Sequence, residues 1–211
     1  MKLILATQNQ GKVREMAQYL AELGLEVLSL ADVGAPQVDE VGTTLWENAK
    51  LKAVTAASQT GHWALGEDTG LEVDALRGAP GVYSARYAGR HATDQENNAK
   101  LLKELQGVPQ EQRTARFKTV MVLASPAGNV WTTEGVLEGE ILTAPRGSGG
   151  FGYDPLFWVP SENRTLAEMD TAEKNAISHR GKALRAMIGL LRTLVESGEL
   201  DAGSRQRHAS P

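Results

Sequence analysis

The chain has 211 residues, of which 41% are apolar and 23% are charged, and its net charge is −4. This composition indicates a globular protein with one substantial domain, or with two lobes that share a core. The chain contains no cysteine, which excludes disulfides, thiolate zinc sites and cysteine nucleophiles.

No stretch of the sequence is strongly basic, which argues against DNA or RNA as the main partner. No apolar stretch approaches the roughly 20 residues that span a bilayer. The short apolar run at residues 3–6 ends at once in polar residues, unlike a signal peptide. We therefore expect a soluble, cytoplasmic protein without a membrane partner.

The first elements in chain order are a short buried strand and an amphipathic helix. Residues 3–6 are predicted as the strand, and residues 13–23 carry apolar side chains at helical spacing. Thr44 and Glu47 form a capping-box pattern that opens a second helix.

A polar segment separates the next two predicted strands. Residues 63–65 and 71–76 have the apolar content of strands, and residues 66–70, bounded by glycines, are predicted as a tight turn between them. Thr93 and Glu96 repeat the capping-box pattern before a third helix.

In the second half of the chain, the spacing of apolar residues changes from the helical period to one typical of strands. Residues 117–124 and 130–142 are predicted as strands joined by a turn, and residues 146–160 as a glycine-rich loop. A last helix is predicted over residues 178–195, with Leu184, Met187, Ile188, Leu191 and Val195 on its apolar face.

This order of elements indicates an α/β fold with a mixed central sheet and flanking helices. Residues 1–197 are predicted to form a single domain of two lobes. Residues 198–211 are small and polar, without periodicity, and are expected to form a mobile tail.

The first segment that could carry chemistry is the turn between the first strand and helix. Its sequence is Thr7-Gln-Asn-Gln-Gly-Lys12. A turn that exposes a helix N-terminus offers unpaired N–H groups to a phosphate, and a lysine adds charge. The turn lacks the upstream glycine and the Ser/Thr of a Walker loop. Strand–turn–helix segments of this kind are common, so a purely structural turn stays the alternative.

The second segment is acidic. Asp39-Glu40 precedes the second helix, and Glu67-Asp68 lies in the predicted turn. Magnesium in phosphate chemistry is usually held by one or two carboxylates together with waters and substrate oxygens. The pair could supply a metal ligand and a base. The alternative is a solvated acidic turn.

The third segment is Gly147-Ser-Gly-Gly-Phe-Gly-Tyr-Asp-Pro155. Repeated glycines favour a close backbone approach, and the rings of Phe151 and Tyr153 could stack on a base. Asp154 could orient the loop or accept a hydrogen bond from a ligand. A tight turn with buried aromatic side chains is the alternative.

The fourth segment is Lys174-Asn-Ala-Ile-Ser-His-Arg180, at the entrance to the last helix. Cations are not favoured at a helix N-terminus, so Lys174, His179 and Arg180 hint at an anionic or carbonyl-bearing ligand. A lone histidine there would more often be structural.

With these segments in this order, the chain resembles the inosine/xanthosine triphosphate pyrophosphatase family. The most specific matches are Gly78-Ala-Pro-Gly-Val-Tyr-Ser-Ala-Arg-Tyr87, Gly149-Gly-Phe-Gly-Tyr-Asp-Pro155 and Lys174-Asn-Ala-Ile-Ser-His-Arg-Gly181. The resemblance covers residues 1 to about 194.

The resemblance implies two lobes around a mixed sheet, with an active-site cleft between them. It also implies a homodimer, Mg²⁺ as cofactor, and hydrolysis of ITP, dITP or XTP to the monophosphate and pyrophosphate. The substrate would be a non-standard purine nucleoside triphosphate.

Site residues follow from the resemblance position by position. Asp68 matches the catalytic acid that accepts a proton and is linked to the metal, Glu40 matches a metal ligand, and Glu67 could assist. The residues that match substrate contacts are Thr7, Gln8, Asn9, Gln10, Gly11, Lys12, Thr69, Phe151, Gly152, Tyr153, Asp154, Lys174, His179 and Arg180.

Two positions depart from the family pattern. Gln8 stands where many members carry a small residue, and Glu67 stands where an aspartate often precedes the catalytic one. The first could narrow the phosphate turn, and the second could shift the metal.

Three other functions compete with this reading. A nucleotide-binding regulator without turnover would keep the phosphate and base segments but not the acids, which are present here. A pyrophosphatase for modified pyrimidine nucleotides would differ in the base pocket alone. A kinase is disfavoured because Walker and kinase signatures are missing.

Overall fold

The computed structural model describes residues 2–8 and 10–200. The strands in this part of the chain are β1 (Lys2–Leu5), β2 (Glu26–Ser29), β3 (Trp63–Val73), β4 (Pro80–Gly81), β5 (Thr114–Ala124), β6 (Val130–Ile141), β7 (Phe157–Val159) and β8 (Arg164–Thr165). The α-helices are α1 (Gln10–Leu20), α2 (Leu45–Thr60), α3 (Asp94–Glu104), α4 (Thr171–Ile177) and α5 (His179–Glu196).

The strands form one mixed sheet in the order β2-β1-β3-β5-β6-β7-β8, and β4 pairs with β3. Strand β1 is parallel to both β2 and β3, with Leu3 opposite Val27 on one side and Trp63 on the other. Strand β7 is antiparallel to β6 and β8. The predicted α/β class with a mixed central sheet is therefore confirmed.

The chain divides into two compact units. The described part of the first unit comprises residues 2–8, 10–68, 120–134 and 183–200, and the second comprises residues 69–119 and 135–182. Each unit has its own apolar core. The first core includes Leu3, Leu5, Met16, Leu20, Leu65, Met121, Leu123, Leu184, Met187 and Leu191. The second includes Leu71, Val73, Leu101, Leu105, Phe117, Tyr153, Leu156, Phe157 and Leu166.

The predicted turn at residues 66–70 is wrong, because β3 runs without a break from Trp63 to Val73. A Cβ atom at Gly66 would lie 2.2 Å from the carbonyl oxygen of Ala49 in α2. The glycine therefore permits close packing of a helix on the strand, and it does not mark a reversal of the chain. The strand also ends earlier than predicted, since residues 74–76 form a 3₁₀ turn.

Both predicted capping boxes are confirmed. Thr44 accepts a hydrogen bond from the backbone N–H of Glu47 at the start of α2, and Thr93 does the same for Glu96 at the start of α3. The glutamate side chains return to the backbone N–H groups of the threonines. These paired hydrogen bonds fix where each helix begins.

The last third of the chain, from residue 146 onward, differs from the sequence prediction in three details. Val195 is exposed and Leu194 is buried, because the buried stripe of α5 follows the 3.6-residue period through Leu191. Leu200, placed in the predicted tail, is buried in the first core. The tail residues 201–211 lie outside the described residues. The predicted loop at residues 146–160 contains the short strand β7.

Within residues 2–8 and 10–200, no helix is both long enough and apolar enough to cross a membrane.

Candidate active site

The first group of candidate residues is assembled where α2 packs on β3. Because Gly66 lets the helix approach closely, the Lys52 side chain donates to the backbone carbonyl of Glu67 over 2.9 Å. Side chains on a strand alternate between its faces. The Asp68 carboxylate therefore points toward α2, and the Glu67 carboxylate leaves the opposite face.

A buried ammonium joins two carboxylates in this region. Lys52 Nζ lies 3.2 Å from Asp68 Oδ1 and also forms an ion pair with Glu40. Asn48, one helical turn before Lys52, donates to Asp68 Oδ2 over 3.0 Å. We call Glu40, Asn48, Lys52 and Asp68 the Lys52 cluster. It brings together the two acids that the sequence places far apart.

Burial sets the protonation behaviour of the Lys52 cluster. Asp68 is only 7% exposed, and this burial raises the pKa of its carboxyl above the ordinary value, although Lys52 opposes the shift. Burial alone would lower the pKa of Lys52, but the charges of Asp68 and Glu40 outweigh it and raise that pKa. Lys52 is therefore a fixed cation, and Asp68 is a carboxylate that binds a proton more readily than an exposed one.

A pair of opposite charges that the sequence analysis did not predict lies on the other face of β3. Lys12 Nζ lies 3.2 Å from Glu67 Oε1. A cavity of about 150 Å³ lies here in the first unit, and its lining includes Thr7, Lys12, Glu40, Lys52 and Glu67. Four of the candidate phosphate and metal residues therefore line one polar cavity together with Lys52.

The turn before α1 is partly described. Thr7 is half-buried, the exposed Gln8 amide donates to the carbonyl of Ala35 over 3.4 Å, and α1 begins at Gln10. Asn9 lies outside the described residues. Gly11 and Lys12 belong to the first turn of α1, so backbone N–H groups of a helix N-terminus lie next to Lys12, as the sequence predicts.

The donor set of the Lys52 cluster suits a divalent metal. Mg²⁺ prefers carboxylate oxygens and needs only one or two from the protein, and Glu40 and Asp68 face the same cation already. No group of three or more metal-binding side chains is found within the described ranges. Glu67, the third predicted metal residue, instead pairs with Lys12.

The second group of candidates is the loop at residues 149–155, which we call the Phe151 loop. Gly150 has a φ of +70°, and a Cβ atom there would lie 2.1 Å from Asp154 Oδ2. The same carboxylate accepts from the backbone N–H of Phe151 over 3.0 Å and forms an ion pair with Lys174. Of the two roles left open for Asp154, the structure shows the one that orients the loop.

The two aromatic rings of the Phe151 loop have different environments. Phe151 is 58% exposed, and its ring carries two cations, with Lys174 Nζ 4.4 Å and Arg180 Cζ 5.7 Å from the centroid. Tyr153 is 5% exposed and donates to the carbonyl of Ser84 over 2.7 Å. Of the two rings, that of Phe151 is therefore the one exposed to solvent.

The remaining predicted contacts lie in the second unit. Lys174 belongs to the short helix α4, which the sequence analysis did not predict, and His179 and Arg180 open α5, the predicted last helix. The His179 ring stacks on Phe117 at 4.7 Å. Thr69 shares a hydrogen bond of 2.7 Å with Thr119.

Sequence reasoning missed Asn48 and Lys52. Both lie on the buried stripe of α2, among Leu45, Ala49, Ala53 and Ala56. Polar side chains within an otherwise apolar stripe are rarely buried unless they have partners. This interruption of the amphipathic pattern is the signal that could have identified them.

Comparisons with known proteins agree with the motifs. The model of the Ham1 family matches residues 3–190. A dITP/XTP pyrophosphatase of Desulforamulus reducens is 54% identical, over 92% of this chain and 97% of that protein. One from Vibrio cholerae is 53% identical, over 89% of this chain and 94% of that protein.

Solved structures match over nearly the same extent. A HAM1 protein from Coxiella burnetii superposes with a TM-score of 0.87 at 45% identity, covering 92% of this chain and 99% of that one. A nucleoside-triphosphatase (dITP/XTP pyrophosphatase) from Mycobacterium abscessus gives a TM-score of 0.77 at 42% identity, covering 89% and 98%.

Proposed function

Because the chain belongs to the Ham1 family, we propose that it hydrolyses ITP, dITP and XTP to the monophosphate and pyrophosphate. The family predicted from the sequence motifs is confirmed by these relatives, which are named dITP/XTP pyrophosphatases. Such an enzyme removes deaminated purines from the nucleotide pool.

The observation that carries the proposal is the Lys52 cluster. Asp68 is a buried carboxylate held by Asn48 and Lys52, with Glu40 on the same ammonium. Hydrolysis of a phosphoanhydride needs charge neutralisation, an oriented water and a held leaving group. A fixed cation beside two acids that suit a metal provides the first two requirements in one place.

The residues of the Lys52 cluster would bind the metal, activate the water or position Asp68. Glu40 and Asp68 would hold Mg²⁺, which supplies positive charge to phosphate oxygens and lowers the pKa of a bound water. Asp68 would orient the attacking water and accept its proton. Asn48 and Lys52 would keep the Asp68 carboxylate in position.

The phosphates would be bound by Lys12, Thr7 and the backbone N–H groups at the start of α1. Lys12 already lies against a carboxylate, and its ammonium would exchange this partner for a phosphate oxygen. Gln8, Asn9, Gln10 and Gly11 complete the proposed turn, and Thr69 is a further proposed contact.

The base would stack on the exposed ring of Phe151, within the loop that contains Gly152, Tyr153 and Asp154. Arg180 would donate to the C6 oxygen that hypoxanthine and xanthine share, beside Lys174 and His179. Adenine carries an amino group at this position, so donor would face donor, at about 1–3 kcal/mol for each unpaired buried group. Guanine shares the C6 oxygen, so its rejection would have to depend on the C2 position.

We further propose that the enzyme is a cytoplasmic homodimer. The family resemblance supports the dimer, and nucleoside triphosphates as substrates support the cytoplasm. Sedimentation equilibrium would give twice the mass of the 22.7 kDa chain if the dimer forms.

The direct test is release of pyrophosphate from ITP, dITP, XTP, GTP, ATP and dUTP, with Mg²⁺ and with excess EDTA. We expect turnover of the first three substrates, with specificity constants about 100-fold above that for ATP, and none in EDTA. Preferred turnover of dUTP would favour a pyrimidine pyrophosphatase. Binding of ITP without turnover in Mg²⁺ would favour a regulator.

A further inference from the structure

Helix α3 contacts the Phe151 loop through two side chains that the sequence motifs do not include. The Asp94 carboxylate accepts from the backbone N–H of Gly152 over 2.7 Å. The Asn98 amide donates to the backbone carbonyl of the same glycine over 2.9 Å. Asp94 and Asn98 lie one helical turn apart on the same face of α3. This face therefore holds both the backbone N–H and the backbone carbonyl of Gly152.

These two hydrogen bonds act next to the proposed stacking ring. Gly152 directly follows Phe151, whose own N–H is held by Asp154. Phe151 is 58% exposed, and its ring lies next to the cations of Lys174 and Arg180 and is not enclosed in an apolar core. Its position therefore depends on how firmly the backbone on either side is held.

The stability of helix α3 does not explain why residue 98 is an asparagine. Asn98 Oδ1 is buried and accepts no hydrogen bond within residues 2–8 and 10–200. A buried acceptor without a partner disfavours folding. An amide at this position is better explained by what its Nδ2 group holds than by the stability of α3.

We propose that Asp94 and Asn98 are positioning residues that fix the backbone of Gly152, so that the Phe151 ring is preorganised to stack on the purine base. This inference rests on the proposed function, because it takes Phe151 as the base-stacking residue. It assigns a specificity role to α3, which touches neither the acids nor the phosphate turn in the proposed mechanism.

The test compares binding of inosine monophosphate, which carries the base, with binding of pyrophosphate, which does not. Both dissociation constants are measured by calorimetry on the full chain with Mg²⁺. Asn98→Leu removes the donor at similar volume, and Asp94→Leu removes the acceptor. We expect each variant to weaken binding of inosine monophosphate about tenfold and to leave pyrophosphate binding unchanged.

Two further variants separate positioning from stability. Asp94→Asn keeps an acceptor oxygen and should bind inosine monophosphate like the wild type. Leu102→Ala removes a partly buried apolar side chain of α3 without touching Gly152, and should lower the melting temperature while keeping the ratio of the two dissociation constants.

The proposal is overturned if Asn98→Leu keeps the wild-type ratio, if pyrophosphate binding falls equally, or if Leu102→Ala changes the ratio as much. It is also overturned for Asp94 if the asparagine variant behaves like the leucine variant. A wild-type protein that releases no pyrophosphate from ITP would instead count against the proposed function, whatever the variants do.

Discussion

The Lys52 cluster and the Phe151 loop are built in opposite ways. In the Lys52 cluster, Asn48, Lys52 and Asp68 project from regular elements, the helix α2 and the strand β3, and are buried. Glu40 joins them from the segment before α2. In the Phe151 loop, side chains of α3 and of Asp154 hold the backbone of an irregular segment by hydrogen bonds. The Phe151 ring in this segment is exposed. Rigid elements suit a reaction that is the same for every substrate, and a supported loop suits discrimination among bases.

This contrast predicts that damage to the first region affects all substrates alike, whereas damage to the second affects substrates according to their base. Variants of Asp68 and Arg180 test this prediction on substrates, and variants of Lys52 and Glu96 test the stability of the elements that support each region. The largest expected effect comes first.

Replacing Asp68 with asparagine is expected to lower kcat about 1,000-fold for every substrate that the wild type hydrolyses. The amide keeps the shape of the side chain but cannot accept the proton of the attacking water. Release of pyrophosphate from ITP and XTP measures the loss.

The matched control for this variant is Glu72→Gln on the same strand. Glu72 is half-buried and is not part of the Lys52 cluster. Its carboxylate lies 3.9 Å from the guanidinium of Arg116. The control should keep wild-type kcat. An Asp68→Asn variant that retains even a tenth of wild-type kcat would remove Asp68 from the base role.

Replacing Lys52 with methionine is expected to lower the free energy of unfolding by about 3 kcal/mol, measured by urea titration in EDTA. The substitution leaves Glu40 and Asp68 without their common cation, and removal of one partner from a buried ion pair typically costs this much. The double variant Lys52→Met/Asp68→Asn should recover much of the loss, since one of the two charges is gone.

Lys50→Met provides the control on the same helix. Lys50 lies over the Trp46 ring on the less buried side of α2, so its loss should change the free energy of unfolding by less than about 1 kcal/mol. If Lys52→Met and Lys50→Met have equal free energies of unfolding, Lys52 does not hold Glu40 and Asp68 together.

The difference between the two regions also explains what the sequence could predict. Capping boxes and apolar spacing are local patterns, and they located α2, α3 and most of α5. The break predicted in β3 was wrong because Gly66 reads locally as a turn residue. Its actual role depends on α2, which packs against it from elsewhere in the chain.

The site residues divide in the same way. The acids and cations of the motifs were identified by residue type, but Lys52 was recognised as their partner only in the structure, although its place in an apolar stripe is a detectable signal. Asp94 and Asn98 carry no such signal, because polar residues are ordinary in the first two turns of a helix that is not fully buried. Their contact with Gly152 joins segments that are distant in sequence, which no local pattern encodes.

Replacing Arg180 with alanine tests the second region directly. If the guanidinium donates to the C6 oxygen, the ratio of kcat/KM for ITP to that for ATP should fall by a factor of about 10 to 100, or about 1.4–2.8 kcal/mol. Both specificity constants are measured on the same preparation.

Lys182→Ala is the control for Arg180, since Lys182 is an exposed cation on the same helix that donates to the carbonyl of Val136. It should leave the ratio unchanged. An Arg180→Ala variant with an unchanged ratio and equal losses for both substrates would place Arg180 on the phosphates and would break the proposed division between the two regions.

The smallest expected effect concerns the start of α3, which carries Asp94 and Asn98. The Glu96 carboxylate accepts from the backbone N–H and the hydroxyl of Thr93, and these hydrogen bonds lower its pKa below the ordinary value of 4.5. A lowered pKa means that the folded state binds fewer protons than the unfolded state, so the ionised group stabilises the fold above pH 4.5 and loses this contribution as the pH falls through the lowered pKa. Glu96→Gln keeps the capping box but cannot ionise. The melting temperature of the wild type should therefore slightly exceed that of Glu96→Gln near neutral pH, and the two curves should converge in acid. A gap that stays constant across the whole pH range would show that ionisation of Glu96 does not stabilise the fold.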